Sequence, residues 1–230
     1  MHLKPVVDVI APFLTELFNR SLSKGVVPEV FKTYITSLLK KSDINPEDVR
    51  SFRPICNLSV VTKLLERLEA RQLLEYLDRS GLLPWLQSAY RACHSTETVM
   101  LKVLSDILLA IDAGDLSALV LLDLSTAFDT VDHDILVRRL ETSYGLSGSV
   151  LQWFQTYMVG RRQYVQTGSS ASSPTLIVCG VPQGSVLGPI LFLLYTADLI
   201  PLIQACVFSH ISTQTIHKYT GSVDRLRHWS

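Results

Sequence analysis

A single carboxylate interrupts an apolar segment near the middle of the 230-residue chain. Residues 117–124 read Ser-Ala-Leu-Val-Leu-Leu-Asp-Leu, which is typical of a strand buried on both faces. Burying an unpaired acid in such a strand costs on the order of several kcal/mol. Asp123 is therefore either a strand-end acid that caps the next turn or a cation ligand at the carboxyl end of the strand, where sites on open sheets collect. Mg²⁺ suits the second interpretation, since it binds a few carboxylates together with substrate phosphates.

Three further acids follow this strand: Asp129, Asp132 and Asp134. Their spacing around His133 favours helix capping and a solvated helix start over metal binding. Asp132 in particular is predicted to be the N-cap of a helix that begins at His133.

The second segment with chemical potential is Gly180-Val-Pro-Gln-Gly-Ser-Val-Leu-Gly-Pro189. Its glycines allow the backbone to approach a ligand closely, and Gln183 can hydrogen-bond a base or a sugar. A loop that leads into a helix N-terminus also suits phosphate. The alternative is a plain connecting loop, which Gly and Pro content alone favours. Ser185 is not in a nucleophile elbow, so the segment does not indicate a hydrolase.

The composition indicates a globular chain with a substantial core. The hydrophobic fraction is 47% and the charged fraction 18%, which excludes intrinsic disorder, collagen and coiled coil. Lys and Arg number 21, as do Asp and Glu, so a nucleic-acid partner would need local clustering of charge. The longest apolar run, residues 190–195, is far too short to span a membrane, and no membrane partner is expected.

The cysteines are scattered and form no C-x-x-C pair, so free thiols in a reducing compartment are the favoured interpretation. They are Cys56, Cys93, Cys179 and Cys206. The N-terminus does not resemble a signal peptide. We therefore expect an intracellular protein, either cytoplasmic or nuclear.

Apolar periodicity and Gly or Pro punctuation predict the elements that position these segments. Helices are predicted over residues 5–24 (kinked or beginning at Pro12), 59–77, 95–113, 133–144 and 150–158, with an apolar helix reaching about residue 200. Residues 162–167 and 175–179 are predicted to form a hairpin, 28–39 to contain a short strand, and 42–53 to be a polar loop. On the second helix, Arg67, Glu69 and Arg71 are predicted to face outward.

Together the two chemical segments resemble the reverse transcriptase of non-LTR (LINE-type) retrotransposons. The resemblance rests on residues 121–133, Leu-Leu-Asp-Leu-Ser-Thr-Ala-Phe-Asp-Thr-Val-Asp-His, and on the Gly180–Pro189 segment. Earlier blocks agree in type and order: residues 51–55 (Ser-Phe-Arg-Pro-Ile), residues 63–66 (Lys-Leu-Leu-Glu) and residues 87–96. The resemblance covers about residues 5–204, and the motifs together are far more specific than any one of them.

The resemblance implies an α/β (α+β) fold, the fingers and partial palm of a right-hand polymerase, with an antiparallel palm sheet and packed helices. Asp123 matches the first catalytic, metal-binding carboxylate of the palm. Phe128 matches the bulky residue that blocks a ribose 2′-hydroxyl, and Gln183 and Gly184 match the loop beneath nucleotide and template. Three basic residues would face the triphosphate or the template backbone, or are ordinary surface charges: Arg53, Lys63 and Arg91.

The resemblance further implies two Mg²⁺ ions as cofactors, with an RNA template, a DNA primer and a deoxynucleotide as partners. Two ions would activate the primer 3′-hydroxyl and stabilise the leaving pyrophosphate. That chemistry needs more than one carboxylate, and the family supplies a further pair in a Tyr-Ala-Asp-Asp hairpin. This sequence lacks that motif. Residues 195–198, Tyr-Thr-Ala-Asp, lie in the helix directly after the loop, so we do not interpret them as the metal-binding motif despite their similarity to it.

The tail offers an explanation for the missing motif. Permitted codons for Ser212–Gly221, read one base out of step, spell Leu-Tyr-Ala-Asp-Asp-Thr-Gln-Ile-Tyr-Gly, with only third bases chosen freely. We hypothesise a frameshift, or an equivalent splicing slip, between about residues 203 and 209. Residues 1–115 would then be fingers and the N-terminal part of the domain, 116–204 an incomplete palm, and 205–230 an aberrant tail.

The expected function is that of a reverse transcriptase fragment, an RNA-directed DNA polymerase domain that is inactive as written. Two alternatives stay open. One is a non-catalytic remnant of the same fold that binds RNA, DNA or a protein. The other is an active polymerase that obtains its missing carboxylates from another chain. The balanced net charge argues against strong stand-alone binding of nucleic acid.

Overall fold

The computed structural model describes residues 4–40, 52–83, 88, 93–115, 119, 127–167 and 170–200. These residues form six α-helices, one short 3-10 helix and five strands. The helices are α1 (Lys4–Lys24), α2 (Val60–Arg79), α3 (Thr96–Asp112), α4 (His133–Thr142), α5 (Gly148–Met158) and α6 (Leu187–Thr196), and the 3-10 turn is Glu29–Phe31. The strands are β1 (Thr33–Lys40), β2 (Phe52–Asn57), β3 (Arg162–Thr167), β4 (Ser170–Ala171) and β5 (Thr175–Leu176).

The strands form one mixed sheet in the order β2-β1-β3-β4, with β5 also pairing with β3. Strand β1 is antiparallel to β2, with Thr36 opposite Cys56, and parallel to β3, with Thr36 opposite Val165. The predicted hairpin is confirmed, since β3 and β5 pair antiparallel. The α/β class is likewise confirmed. An antiparallel palm sheet was predicted within residues 116–204, whereas the described sheet is mixed, because β3 pairs parallel with β1. The predicted buried strand, residues 117–124, lies outside the described part apart from residue 119.

Local signals place the helix ends. Ser95 begins α3 with a reciprocal capping box, in which its hydroxyl accepts from the Thr98 N–H while the Thr98 hydroxyl accepts from the Ser95 N–H. Asp132 caps α4 as predicted, because its Oδ1 accepts from the Ile135 N–H at 2.9 Å. Each cap satisfies backbone donors that the first helical turn leaves unpaired.

The described residues fall into two compact units. The first contains residues up to Leu77 together with 127–195, and the second contains α3 and residues 196–200. The core of the first unit is built by α4, α5 and α6. Their most deeply buried apolar side chains are at most 1% exposed and include Leu136, Leu140, Trp153, Phe154, Leu187 and Leu191. Helix α1 is tied to this core, because the Trp153 indole donates to the Ser21 hydroxyl at 3.0 Å.

Several sequence expectations need correction. Helix α1 spans Lys4–Lys24, close to the predicted range 5–24, and runs through Pro12, so the alternative that the helix begins at Pro12 is wrong. Strand β2 begins at Phe52 and so includes the last two residues of the predicted polar loop, 42–53, because pairing with β1 satisfies its backbone. Glu69 is only 6% exposed, although an outward position was predicted. It lies four residues from both Leu65 and Leu73, so helical periodicity places it on their buried face. No helix in the described part is long and apolar enough to cross a membrane.

Candidate functional site

The loop of residues 180–186, called here the Gln183 loop, is fastened to the turn of residues 127–131. The Gly180 N–H donates to the Val131 carbonyl and the Val181 N–H donates to the Phe128 carbonyl, both at 2.7 Å. The His133 ring Nε2 lies 2.8 Å from the Gly180 carbonyl oxygen and donates to it in the Nε2–H tautomer. The two segments that the sequence singled out are therefore joined by main-chain hydrogen bonds.

Gln183 is held by both its side chain and its backbone. Its Nε2 donates to the two carboxylate oxygens of Asp129 at 3.1 and 3.2 Å. Its carbonyl accepts from the Cys56 N–H at 2.7 Å, which attaches the loop to the edge of β2. These contacts fix the amide head and the backbone of Gln183 at once, between the turn and the sheet.

Two glycines make this close approach possible. Gly180 has φ +88°, and a Cβ there would lie 2.8 Å from the Phe128 carbonyl oxygen. Gly184 has φ +95°, and a Cβ there would lie 3.3 Å from the Cys56 carbonyl oxygen. A side chain at either position would be conformationally strained and would press against backbone. The glycine pattern thus reflects packing of the loop against the turn on one side and β2 on the other.

The Phe128 side chain, which is partly exposed, packs against α6. Its ring centroid lies 5.2 Å from that of Phe192, with the planes tilted by 42°. Such a tilted pair is a favourable aromatic geometry. The ring of Phe128 is consequently positioned by the helix that the Gln183 loop leads into.

A buried acid supports the end of the Gln183 loop. Glu66, on α2, is 1% exposed; its Oε2 accepts from the Val186 N–H and its Oε1 from the Tyr157 hydroxyl, both at 2.7 Å. Burial raises the pKa of Glu66, an effect that these two hydrogen bonds and the charge of Arg161 oppose.

A buried thiol and phenol lie under the other side of the loop. Cys56 and Tyr34 are 5% and 4% exposed, and their side chains hydrogen-bond to each other. Burial raises the pKa of both groups, so both are neutral near pH 7. These two buried side chains pack beneath the Cys56 backbone, whose N–H binds the Gln183 carbonyl.

The structure brings together three of the predicted site residues: Phe128, Gln183 and Gly184. Lys63 lies in the first turn of α2, one turn before Glu66. Arg53 lies in β2 opposite Leu39, and its side chain is outside the described part. Asp123 and Arg91 also lie outside the described residues, so their assigned roles stay predictions.

Sequence reasoning missed three polar residues of the site. Asp129 was assigned to capping or solvent, yet it binds Gln183. His133 was recognised only as the start of a helix, and Glu66 only as part of a motif. A sequence signal for Glu66 was available. Glu66 lies two helical turns before Leu73 on an amphipathic helix, and an acid on the apolar face of such a helix needs a partner. No local signal marks the partner of Asp129, which is 54 residues away.

The described residues do not fit a two-metal centre. They contain no group of three or more His, Cys, Asp or Glu side chains that could hold a metal ion. The Asp129 oxygens accept from Gln183, and Asp132 caps α4. Within these ranges, then, the side chains form no ligand set for metal ions.

The Tyr195–Asp198 segment lies where the sequence placed it, at the end of α6. The Arg139 guanidinium carbon is 5.2 Å from the Tyr195 ring centroid, and Arg139 donates to the Tyr195 carbonyl. Asp198 follows the helix in an exposed turn. Tyr195 therefore helps to attach α4 to α6, and it does not stand in a hairpin.

Comparison with known proteins identifies the family. The sequence matches the family described as "Reverse transcriptase (RNA-dependent DNA polymerase)" over residues 39–220. The chain belongs to the reverse transcriptase family. The matched range includes every predicted site residue from Arg53 to Gly184 and reaches into the tail, whose reading frame stays a prediction.

Transposon polymerases are similar to this reverse transcriptase domain. The chain is 33% identical over 187 residues to the "Probable RNA-directed DNA polymerase from transposon X-element" and, equally, to that of transposon BS, both of Drosophila melanogaster. It is 32% identical over 187 residues to the "RNA-directed DNA polymerase from mobile element jockey" of Drosophila funebris. Each alignment covers 81% of this chain and 20% of the relative, so the chain spans about a fifth of their length. It is a reverse transcriptase domain of the non-LTR retrotransposon type.

Proposed function

We propose that the template and the incoming deoxynucleotide bind at the junction between the Gln183 loop and the turn of residues 127–131. We also propose that the chain as written does not extend a primer. One observation carries the first half. The two segments are joined at Val181 and Phe128 by a 2.7 Å main-chain hydrogen bond, and Gln183 is oriented by Asp129. The Gln183 amide and the Phe128 ring are therefore held close together on two segments that main-chain hydrogen bonds join.

Each residue at this junction has a chemical role in the proposal. The Phe128 ring would exclude a ribose 2′-hydroxyl by its bulk, which favours deoxynucleotides. Gln183 would hydrogen-bond the template or the nucleotide, and Gly184 would let them approach the backbone. Arg53, Lys63 and Arg91 would contact phosphates as cations.

The expected inactivity of the chain follows from its metal site. Asp123 would supply one carboxylate to a site for two Mg²⁺ ions. The chemistry that such ions would supply when bound is activation of the primer hydroxyl and stabilisation of pyrophosphate. Residues 207–230 contain a single acid, Asp224, and no Tyr-Ala-Asp-Asp sequence. With one acid of the three, we expect the chain to bind two ions too weakly for catalysis.

A non-catalytic binding remnant is the second candidate function. It is supported by the Gln183 loop, whose contacts to the turn, to β2 and to Glu66 are all made without the missing acids. A surface that positions nucleic acid can therefore persist in a chain that lacks catalysis. Such binding would fall steeply as salt rises, because phosphate contacts release counterions.

Primer extension tests the proposal. Purified chain is incubated with a DNA primer on an RNA template, deoxynucleotides and Mg²⁺, and the products are separated by length. No extension is expected from the wild-type chain or from Asp123→Asn. Extension by the wild-type chain that disappears in Asp123→Asn would contradict inactivity and would indicate that carboxylates arrive from another chain.

A further inference from the structure

We propose that Glu66 is a positioning residue for the Gln183 loop. It binds the loop through the Val186 N–H, while the Tyr157 hydroxyl holds the Glu66 carboxylate in place and the charge of Arg161 compensates it. The consequence for ligand binding rests on the proposed function of the loop. The consequence for the loop itself does not, and the two can be measured separately.

The two oxygens of Glu66 have different partners. Oε2 accepts from the Val186 N–H at 2.7 Å, three residues after Gln183 and immediately before α6 begins at Leu187. Oε1 accepts from the Tyr157 hydroxyl, also at 2.7 Å. One oxygen therefore binds the loop, and the other anchors the carboxylate to α5.

The anchor continues from Tyr157 to Arg161, and each of these side chains is 1% exposed. The Arg161 Nε donates to the Tyr157 carbonyl at 2.5 Å, and the guanidinium carbon lies 4.0 Å from the Tyr157 ring centroid. The two terminal nitrogens of Arg161 have no hydrogen-bond partner within the described ranges. What Arg161 supplies is thus its charge, which compensates the buried carboxylate of Glu66, and its contact with the ring.

Glu66 binds the Gln183 loop at Val186, the residue directly before the first residue of α6. The first N–H groups of a helix have no acceptor within the helix, and a carboxylate near them is also favoured by the helix dipole. Ser185 satisfies another of these donors, since its hydroxyl accepts from the Gly188 N–H at 2.8 Å. Glu66 thus fixes the boundary between the Gln183 loop and α6.

Glu69 is a matched control on the same helix. It lies three residues after Glu66 and is also buried, at 6% exposure, but makes no hydrogen bond to the Gln183 loop in the described structure. Substitution of either residue by alanine removes a buried carboxyl group from α2. Only removal of Glu66 should loosen the loop selectively.

Hydrogen–deuterium exchange read by mass spectrometry provides the test. In Glu66→Ala, exchange of the peptide spanning residues 181–188 should rise at least tenfold relative to the α4 peptide, residues 133–142. Glu66→Gln should exchange like wild type, because its amide can accept from Val186 and donate to the Tyr157 oxygen. Glu69→Ala should leave the ratio of the two peptides unchanged even if it lowers stability overall.

A second variant covers the case in which Glu66→Ala fails to fold. Tyr157→Phe removes only the hydroxyl that anchors Oε1, and should raise the exchange ratio by a smaller factor, about threefold. Unchanged ratios in both Glu66→Ala and Tyr157→Phe, or an equal rise in Glu69→Ala, would overturn the proposal.

Binding of a fluorescent RNA–DNA hybrid is measured on the same variants. Glu66→Ala should weaken it about fivefold, and Glu66→Gln should restore it. Absence of binding by the wild-type chain would contradict the proposed function, while the exchange ratios would still decide whether Glu66 positions the loop.

Discussion

The Gln183 amide donates to both oxygens of the Asp129 carboxylate, at 3.1 and 3.2 Å, across 54 residues of sequence. This pair links the turn after the Asp123 segment with the loop that precedes α6. Because one partner is charged, the hydrogen bonds are stronger than those between neutral groups. The orientation of Gln183 therefore depends on Asp129, an acid to which the sequence analysis assigned no binding role.

A double-mutant cycle measures this link. Asp129→Ala, Gln183→Ala and the double variant are unfolded with urea, and we expect a coupling free energy of about 0.5–1.5 kcal/mol. The same cycle with Asp134→Ala, an acid in the first turn of α4, should give none. Additivity of Asp129 and Gln183 within about 0.3 kcal/mol would contradict the pairing.

Gly180→Ala should lower the free energy of unfolding by about 2–4 kcal/mol. Its φ of +88° alone accounts for about 1–3 kcal/mol, and the new Cβ would meet the Phe128 carbonyl oxygen at 2.8 Å. Gly148→Ala is the control, since Gly148 has φ +58° but open space around it. Equal losses in the two variants, measured by urea unfolding, would argue against close contact between loop and turn.

Glu69 should make stability depend on pH. Burial raises the pKa of Glu69 to about 7, whereas an unfolded Glu titrates near ~4.3. Between these values the folded chain holds a proton that the unfolded chain releases, so the free energy of unfolding falls as pH rises. Glu69→Gln removes this loss, and its stability relative to wild type should increase from about pH 4.3 to pH 7 and then level off.

The comparison with Glu141→Gln separates burial from charge. Glu141 is exposed on α4, so its substitution should change the free energy of unfolding by only a small amount. A pH-independent difference between Glu69→Gln and wild type would show that Glu69 does not titrate as inferred.

The reading-frame hypothesis is tested by the gene itself. The nucleotide sequence around codons 203–221 should encode Tyr-Ala-Asp-Asp in the neighbouring frame. Its absence from both neighbouring frames would leave the missing acids unexplained and would contradict the proposed slip.

Local signals made much of the fold predictable. The caps at Ser95 and Asp132 depend on donors three residues away, so sequence alone located both helix starts. The glycines of the Gln183 loop predicted that a ligand approaches its backbone closely, whereas the close approach in the structure is to the backbone of Phe128 and Cys56. Strand β2 was missed because its pairing with β1 crosses a polar segment, and Glu69 was misplaced because its burial depends on tertiary packing.

The site was predictable only in part for the same physical reason. Phe128, Gln183 and Gly184 belong to recognisable motifs, and the structure brings them together. Asp129 and Glu66 acquire their roles from partners that are 54 and 120 residues away. Sequence periodicity reports which face of an element is buried, and it carries no information about which distant donor that face will meet.

Binding of nucleic acid at the Gln183 loop is the central claim, and fluorescence anisotropy of a labelled RNA–DNA hybrid tests it directly. The account predicts saturable binding that Gln183→Ala weakens about fivefold, as expected for about 1 kcal/mol of lost hydrogen bonding. Gln155→Ala, an exposed glutamine on α5, should bind like wild type. Equal affinity of all three proteins, or no binding by any of them, would contradict the account.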